Sequence, residues 1–237
     1  MIYYYDLHIH SILSPCSEVL NTPNNILNMA YLKKLNIISV TDHNSLKQQK
    51  TILNLAKSYN ILAVPGVEVT VNEGFHVLVY LKNEDDIDKF DEYLERHLIK
   101  EELDLSKYHK EIVMDVYDNE VSFVNYSLNS KLDVNIKDLL SYLKGYETLI
   151  YFAHVDRPYA SGKDYLKDVK IDGIELINQN HEIDFLGYQI LYNSDAHNIL
   201  NMNEQDYSVE LSDLTIESLF EVLKNVWFIT IYIRYCL

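Results

Sequence analysis

The order of apolar and polar positions predicts alternating strands and helices over the first third of the chain. An apolar, tyrosine-rich run, Ile2, Tyr3, Tyr4 and Tyr5, reads as a first strand continuing into Asp6-Leu7-His8-Ile9-His10. Thr22-Pro23 then supplies an N-cap and a first-turn proline, and Ile26, Leu27, Met29, Ala30, Leu32 and Leu35 recur at helical spacing up to Asn36. A short apolar strand follows over 36–40. Ser45 is placed to cap a second helix ending near Asn60, and strands are expected over 61–64, 67–71 and 75–81 around Pro65-Gly66. This β-α-β-α-β order predicts a parallel sheet with helices outside.

Residues 83–147 are less regular. An amphipathic helix is expected over 86–98, a hairpin over 111–117 and 120–124 turned at Asp118-Asn119, and a helix over 136–144 stopped by Gly145. Strand signals return over 148–153, 173–177 and 189–193. A late helix over 215–226, capped by Thr215 or Asp213, precedes an apolar run over 226–237 that reads as a final strand or docked tail. That run is interrupted by Arg234 and is shorter than the roughly 20 residues a spanning helix needs, so no membrane association is expected. No repeat, low-complexity stretch or linker marks a boundary, and one domain over 1–237 is the expectation, with 83–147 as its irregular segment.

Composition narrows the function classes. A net charge of −16 opposes binding to a long nucleic-acid duplex, because that affinity comes largely from Lys and Arg on phosphates. A small phosphorylated substrate stays compatible, since bound divalent cations reverse the local sign. Two cysteines, Cys16 and Cys236, make no disulfide framework, and a metal-type motif stands where a signal core would be needed, so a cytoplasmic setting is expected. Oligomeric state leaves no trace in the sequence.

Candidate chemistry gathers at the predicted strand ends. In a strand, Asp6, His8 and His10 share one face, so the two imidazoles can grip one ion while the acid orients a ring. Four more segments follow strands in the same way: Thr41-Asp42-His43-Asn44, Gly66-Val67-Glu68-Val69 with His76 eight residues beyond Glu68, Ala153-His154-Val155-Asp156-Arg157, and Ser194-Asp195-Ala196-His197. Parallel α/β folds collect active-site residues at strand C-termini. Six of the nine histidines lie in these segments; His97, His109 and His181 have no motif context and default to the surface. An acid between Val67 and Val69 is costly to bury unless paired or metal-bound. His76 reads either as a ligand or as a satisfied core histidine. Imidazole with carboxylate suits zinc, manganese or iron.

Together these segments resemble the PHP family, the polymerase and histidinol phosphatase superfamily of metal-dependent phosphoesterases, from residue 2 to about residue 198. The resemblance implies an α/β fold, a single-domain distorted (β/α)7 TIM-like barrel, with a trinuclear metal centre at its strand C-termini. Carried over residue by residue, it implies one ion on His8, His10, Glu68 and Asp195, and a second on Glu68, His76 and His154. A third would take His43, His197 and a ligand after His10. The chain departs from the family pattern there, with Cys16 in place of Asp or His. A thiolate suits zinc, and a small buried thiol without ligand role is the alternative. Asp6 and Asp42 are expected to orient imidazoles rather than bind metal. Arg157 reads as a phosphate clamp or as the partner of Asp156.

The expected activity is hydrolysis of a small phosphate monoester by a metal-activated hydroxide, with Glu68, Asp195, His197 and Arg157 as the catalytic set and three divalent ions as cofactors. A nucleotide phosphatase or an exonuclease on short oligonucleotides is the enzymatic alternative. An amidohydrolase also opens with His-x-His, but no bridging-lysine motif is visible. A non-catalytic metal-binding regulatory module is the reading from another class.

Overall fold

In the computed structural model, which describes residues 1–177 and 187–224, the opening alternation runs as β1 (Ile2–Ile9), α1 (Pro23–Leu32), β2 (Ile37–Val40), α2 (Gln49–Tyr59) and β3 (Leu62–Ala63). These three strands pair in parallel, β1 with β2 and β2 with β3. The Thr22 hydroxyl accepts the Asn25 amide at the start of α1, and Asn60, left-handed at φ 54°, ends α2. Ser45 does not cap α2. Its hydroxyl and the Leu46 amide both donate to Asp91, so the helix begins only at Gln49.

The chain continues with β4 (Gly66–Thr70), β5 (His76–Leu81), α3 (Ile87–His97), β6 (Glu111–Met114), β7 (Glu120–Val124), α4 (Ile136–Leu143), β8 (Thr148–Phe152), β9 (Gly173–Leu176), β10 (Gln189–Tyr192), β11 (Ser208–Glu210) and α5 (Ile216–Lys224). The sheet is not uniformly parallel. β5 runs antiparallel to both β4 and β8, while β8, β9 and β10 are parallel. Five residues separate β4 from β5, with Gly74 at φ 89° in the turn, and a parallel crossover needs a dozen or more. β6 and β7 form the separate hairpin, turned through Asp118 at φ 58°.

Two sheets result, in the orders β11-β1-β2-β3 and β10-β9-β8-β5-β4. They meet at isolated parallel bridges, Ile9 with Ala196 and His43 with Glu68. Both bridges lie in the histidine-bearing segments, so backbone bonds such as His10 N to Ala196 O (3.0 Å) and Asn44 N to Glu68 O (2.9 Å) hold the ends of β1, β2, β4 and β10 together.

Successive residues of β5 and β8 enter two different apolar clusters. Leu78, Tyr80, Leu149 and Tyr151 pack with Leu7 and with Leu219, Phe220 and Leu223 of α5. Val77, Val79, Ile150 and Phe152 pack with residues that include Ile26 and Leu27 of α1 and Ile52 of α2. Strands buried on both faces read as continuous apolar runs, and burying each such side chain contributes about 1.5–3 kcal/mol. The apolar run 226–237, with Arg234 and Cys236, and His181 lie outside the described residues.

Candidate metal centre

Six strands deliver the side chains. His8 lies in β1 and His10 just beyond it, His43 follows β2, Glu68 is the middle residue of β4, His76 opens β5, His154 follows β8, and Asp195 and His197 follow β10. All but His76 and His197 are buried. His154 and Asp195 have positive φ, 31° and 50°, as does Asn44 at 48°. Non-glycine residues pay strain in this region, and such positions gather where side chains must be aimed at a site.

Glu68 is the hub. Its Oε1 lies 2.8 Å from His76 Nδ1 and 3.0 Å from His154 Nε2. Its Oε2 lies 3.0 Å from His43 Nδ1, 3.3 Å from His10 Nε2 and 3.4 Å from His8 Nε2. The two oxygens of one carboxylate thus face two separate groups of imidazoles. Asp195 Oδ1 adds to the second group, 3.1 Å from His8 Nε2 and 3.0 Å from His10 Nε2. Three sets of ligand atoms converge within 4.8 Å of one another: His8, His10, Glu68 and Asp195; His43, Glu68 and His76; and His10, His43 and His197.

Imidazole nitrogens crowd against one another here. His8 Nε2 is 3.1 Å from His10 Nε2, and His76 Nδ1 is 3.2 Å from His154 Nε2. His43 Nδ1 and Glu68 Oε2 are buried without an aligned hydrogen bond although 3.0 Å apart. Buried polar atoms normally find partners; acceptors crowded around shared centres are a donor set for divalent cations, and N with O donors suit zinc, manganese or iron.

Charge follows the same division. Burial works to raise the Glu68 carboxyl, but His76, His8 and His43 hold it well below the usual carboxylate range. Burial likewise opposes, and His8 and His10 overcome it, in keeping Asp195 low. His10 is pushed up to about 9, burial being outweighed by Asp195 and Glu68. His43 falls to about 4 and His197 to about 3, both chiefly through burial.

The expected orienting acids act elsewhere. The register of β1 against β2 shifts between Asp6 and Ile9, and Asp6 binds the Ser194 amide and hydroxyl and the Asn203 amide rather than a ring. Asp42 accepts from the hydroxyls of Ser11 and Ser14, and Ser14 Oγ lies 3.0 Å from His10 Nδ1, so its influence on the ring passes through a serine. The residue that holds His8 is Glu175 of β9, both of whose oxygens face His8 Nδ1, at 2.9 and 3.0 Å. An acid between Ile174 and Leu176 in an apolar strand was the available signal, the same one that marks Glu68.

A cavity of about 440 Å³ opens over the cluster, walled in part by Cys16, Asn129, Arg157 and Tyr159. Arg157 pairs with Asp195, its Nη1 2.5 Å from Asp195 Oδ2. Asp156 instead accepts the Ile177 amide. Cys16 Sγ is 3.7 Å from Asn129 Oδ1 and belongs to none of the three converging sets. Burial pushes its thiol up to about 12.

Residues 6–183 match the model of the PHP domain. The chain belongs to the PHP family. An uncharacterised protein of Methanocaldococcus jannaschii is 31% identical over 88 residues, which are 34% of this chain and 51% of that protein. Among solved structures, the lesion-specific endonuclease Q of Pyrococcus furiosus superposes with a TM-score of 0.71 at 20% identity, over 94% of this chain and 56% of that one. A candidate metal-dependent phosphoesterase of Bifidobacterium adolescentis superposes with a TM-score of 0.56 at 15% identity, over 86% of this chain and 93% of that one. This PHP chain therefore spans about half the length of the first two. Among its described residues no helix is long and apolar enough to cross a membrane.

Proposed function

We propose that this PHP-family chain hydrolyses small phosphate monoesters with divalent ions held by His8, His10, Glu68 and Asp195, by Glu68, His76 and His154, and by His43 and His197 with His10 as their nearest further group. The observation that carries this reading is the carboxylate of Glu68, whose two oxygens face separate sets of imidazoles within ligand distance. Bound divalent ions would supply the Lewis acidity that makes water a nucleophile near neutral pH. The chain's own part is positioning. Glu175 and Ser14 fix the rings of His8 and His10. Arg157, held by Asp195 and facing the cavity, neutralises phosphate oxygens and charge developing on the leaving group. His197 at the cavity wall completes the catalytic set with Glu68, Asp195 and Arg157.

The protein loaded with manganese or zinc releases phosphate from small phosphomonoesters on this reading. Glu68→Ala and Asp195→Ala abolish release while circular dichroism keeps the folded spectrum; activity that survives both replacements overturns it. Absence of any bindable metal would favour a non-catalytic module.

A second reading is cleavage of nucleotides or short oligonucleotides, and the fold match to an endonuclease over 94% of this chain favours including it. The charge of −16 disfavours long duplexes. A labelled oligonucleotide run beside histidinol phosphate and mononucleotides separates the two.

A further inference from the structure

The irregular segment between α3 and β8 reaches the cavity through one loop. Residues 128 and 130 of that loop are tied to a single side chain, Asn44, whose Nδ2 donates to Leu128 O and Ser130 O, both at 2.8 Å. Asn44 Oδ1 accepts the Thr70 amide at 2.9 Å, so this anchor is itself fixed to β4. From the other side Glu111 accepts the Leu128 amide at 2.7 Å. Between the two anchored residues stands Asn129, in the cavity wall. Its Oδ1 faces the Cys16 thiol, which leaves Nδ2 and its two protons for a ligand. A neutral amide is a weak partner for a dianionic phosphate already faced by Arg157 and the ions, and a suitable donor to a hydroxyl oxygen.

We propose that Asn129 is a specificity-determining residue, donating through Nδ2 to a hydroxyl oxygen on the alcohol part of the ester, and that Cys16 is a positioning residue whose S–H holds the carboxamide in that orientation. The preferred substrates are then phosphate monoesters of polyhydroxylated alcohols, such as sugar phosphates. The inference rests on the phosphoesterase reading, and it gives a role to the thiol that stands where the family pattern carries a ligand, through its contact with Asn129.

The test compares the manganese-loaded full chain on ribose 5-phosphate and on phenyl phosphate, which has no hydroxyl on its leaving group. Asn129→Ala lowers the ratio of kcat/KM for ribose 5-phosphate over phenyl phosphate by about three- to tenfold, the worth of one hydrogen bond, with the change carried by KM. Asn129→Ser shifts the ratio the same way and serves if the alanine variant does not fold. Cys16→Ala lowers the ratio and Cys16→Ser, which keeps a donor, restores it, while bound metal per chain stays at the wild-type value in both. A ratio unchanged in Asn129→Ala and Asn129→Ser overturns the assignment of Asn129. Metal lost in Cys16→Ser makes Cys16 a ligand and overturns its positioning role. Wild-type protein that turns over neither ester overturns the phosphoesterase reading and this inference with it.

Discussion

Glu175 grips the Nδ1 edge of His8 with both carboxylate oxygens, at 2.9 and 3.0 Å, and so leaves Nε2 as the atom turned toward His10, Asp195 and Glu68. The same carboxylate accepts the His154 amide and the Asn193 side-chain amide, which ties three strand ends to one buried group. Carboxylates behind metal-binding imidazoles fix the tautomer and raise ligand basicity. Glu175→Gln should therefore weaken metal binding by about 10- to 100-fold, read by competition with a coloured chelator, while the folded spectrum is retained.

Removing metal should also cost stability. The cluster packs imidazoles 3.1 and 3.2 Å apart around two carboxylates, and cations bound there relieve those repulsions only in the folded state. At a free metal concentration of about 100 times Kd, linkage contributes about 2.7 kcal/mol. At about 2–4 °C per kcal/mol for a chain of this size, Tm should fall by roughly 5–10 °C on chelation. Scanning calorimetry with and without chelator, followed by restoration with manganese or zinc, checks this; equal Tm values would mean the cluster holds no ion under those conditions.

Much of the site was legible because period-two and helical patterns place strand ends, and chemistry at strand ends is a topological consequence of parallel α/β folding. His8, His10, Glu68 and Asp195 converge although up to 187 residues separate them in sequence, as the resemblance to the PHP family implied. The orientation of the orienters was not legible. A strict alternation puts Asp6 with His8, but Asp6 is engaged by Ser194 and Asn203, distant partners that no single-strand pattern encodes. Glu175 carried a signal, an acid flanked by Ile174 and Leu176, but gave no indication of its partner. The antiparallel placement of β5 was hidden in the length of one turn, and Asn129 in a segment with no periodicity at all.

Asn44 carries three hydrogen bonds from a buried position at φ 48°. Asn44→Ala removes all three and leaves an alanine in the left-handed region, so a loss of about 2–4 kcal/mol is expected. Asn44→Gly keeps the backbone conformation and should be the milder of the two by about 1 kcal/mol. Urea unfolding of both variants measures the difference; equal losses would show that the side-chain bonds dominate and the backbone strain is small.

Glu111 offers a pH dependence that stands apart from the metal ligands. One oxygen accepts the Leu128 amide, the other is buried without a partner, and burial, with a smaller contribution from Asp42, raises its carboxyl to about 8. A carboxyl with a folded value above its unfolded one binds more protons in the folded state between the two, so its contribution is full below about 4.3, declines as pH rises, and is lost once pH passes about 8. Stability of the wild-type chain should therefore slope downward from pH 5 to pH 8 at this site. Glu111→Gln keeps an acceptor for Leu128 but cannot ionise, and should be more stable than wild type at pH 7 by on the order of 2 kcal/mol, with the gap narrowing toward pH 5. Urea titrations of both proteins at pH 5, 6, 7 and 8 decide it: a wild-type-minus-variant difference that does not change with pH would mean that Glu111 is charged in the fold throughout that range.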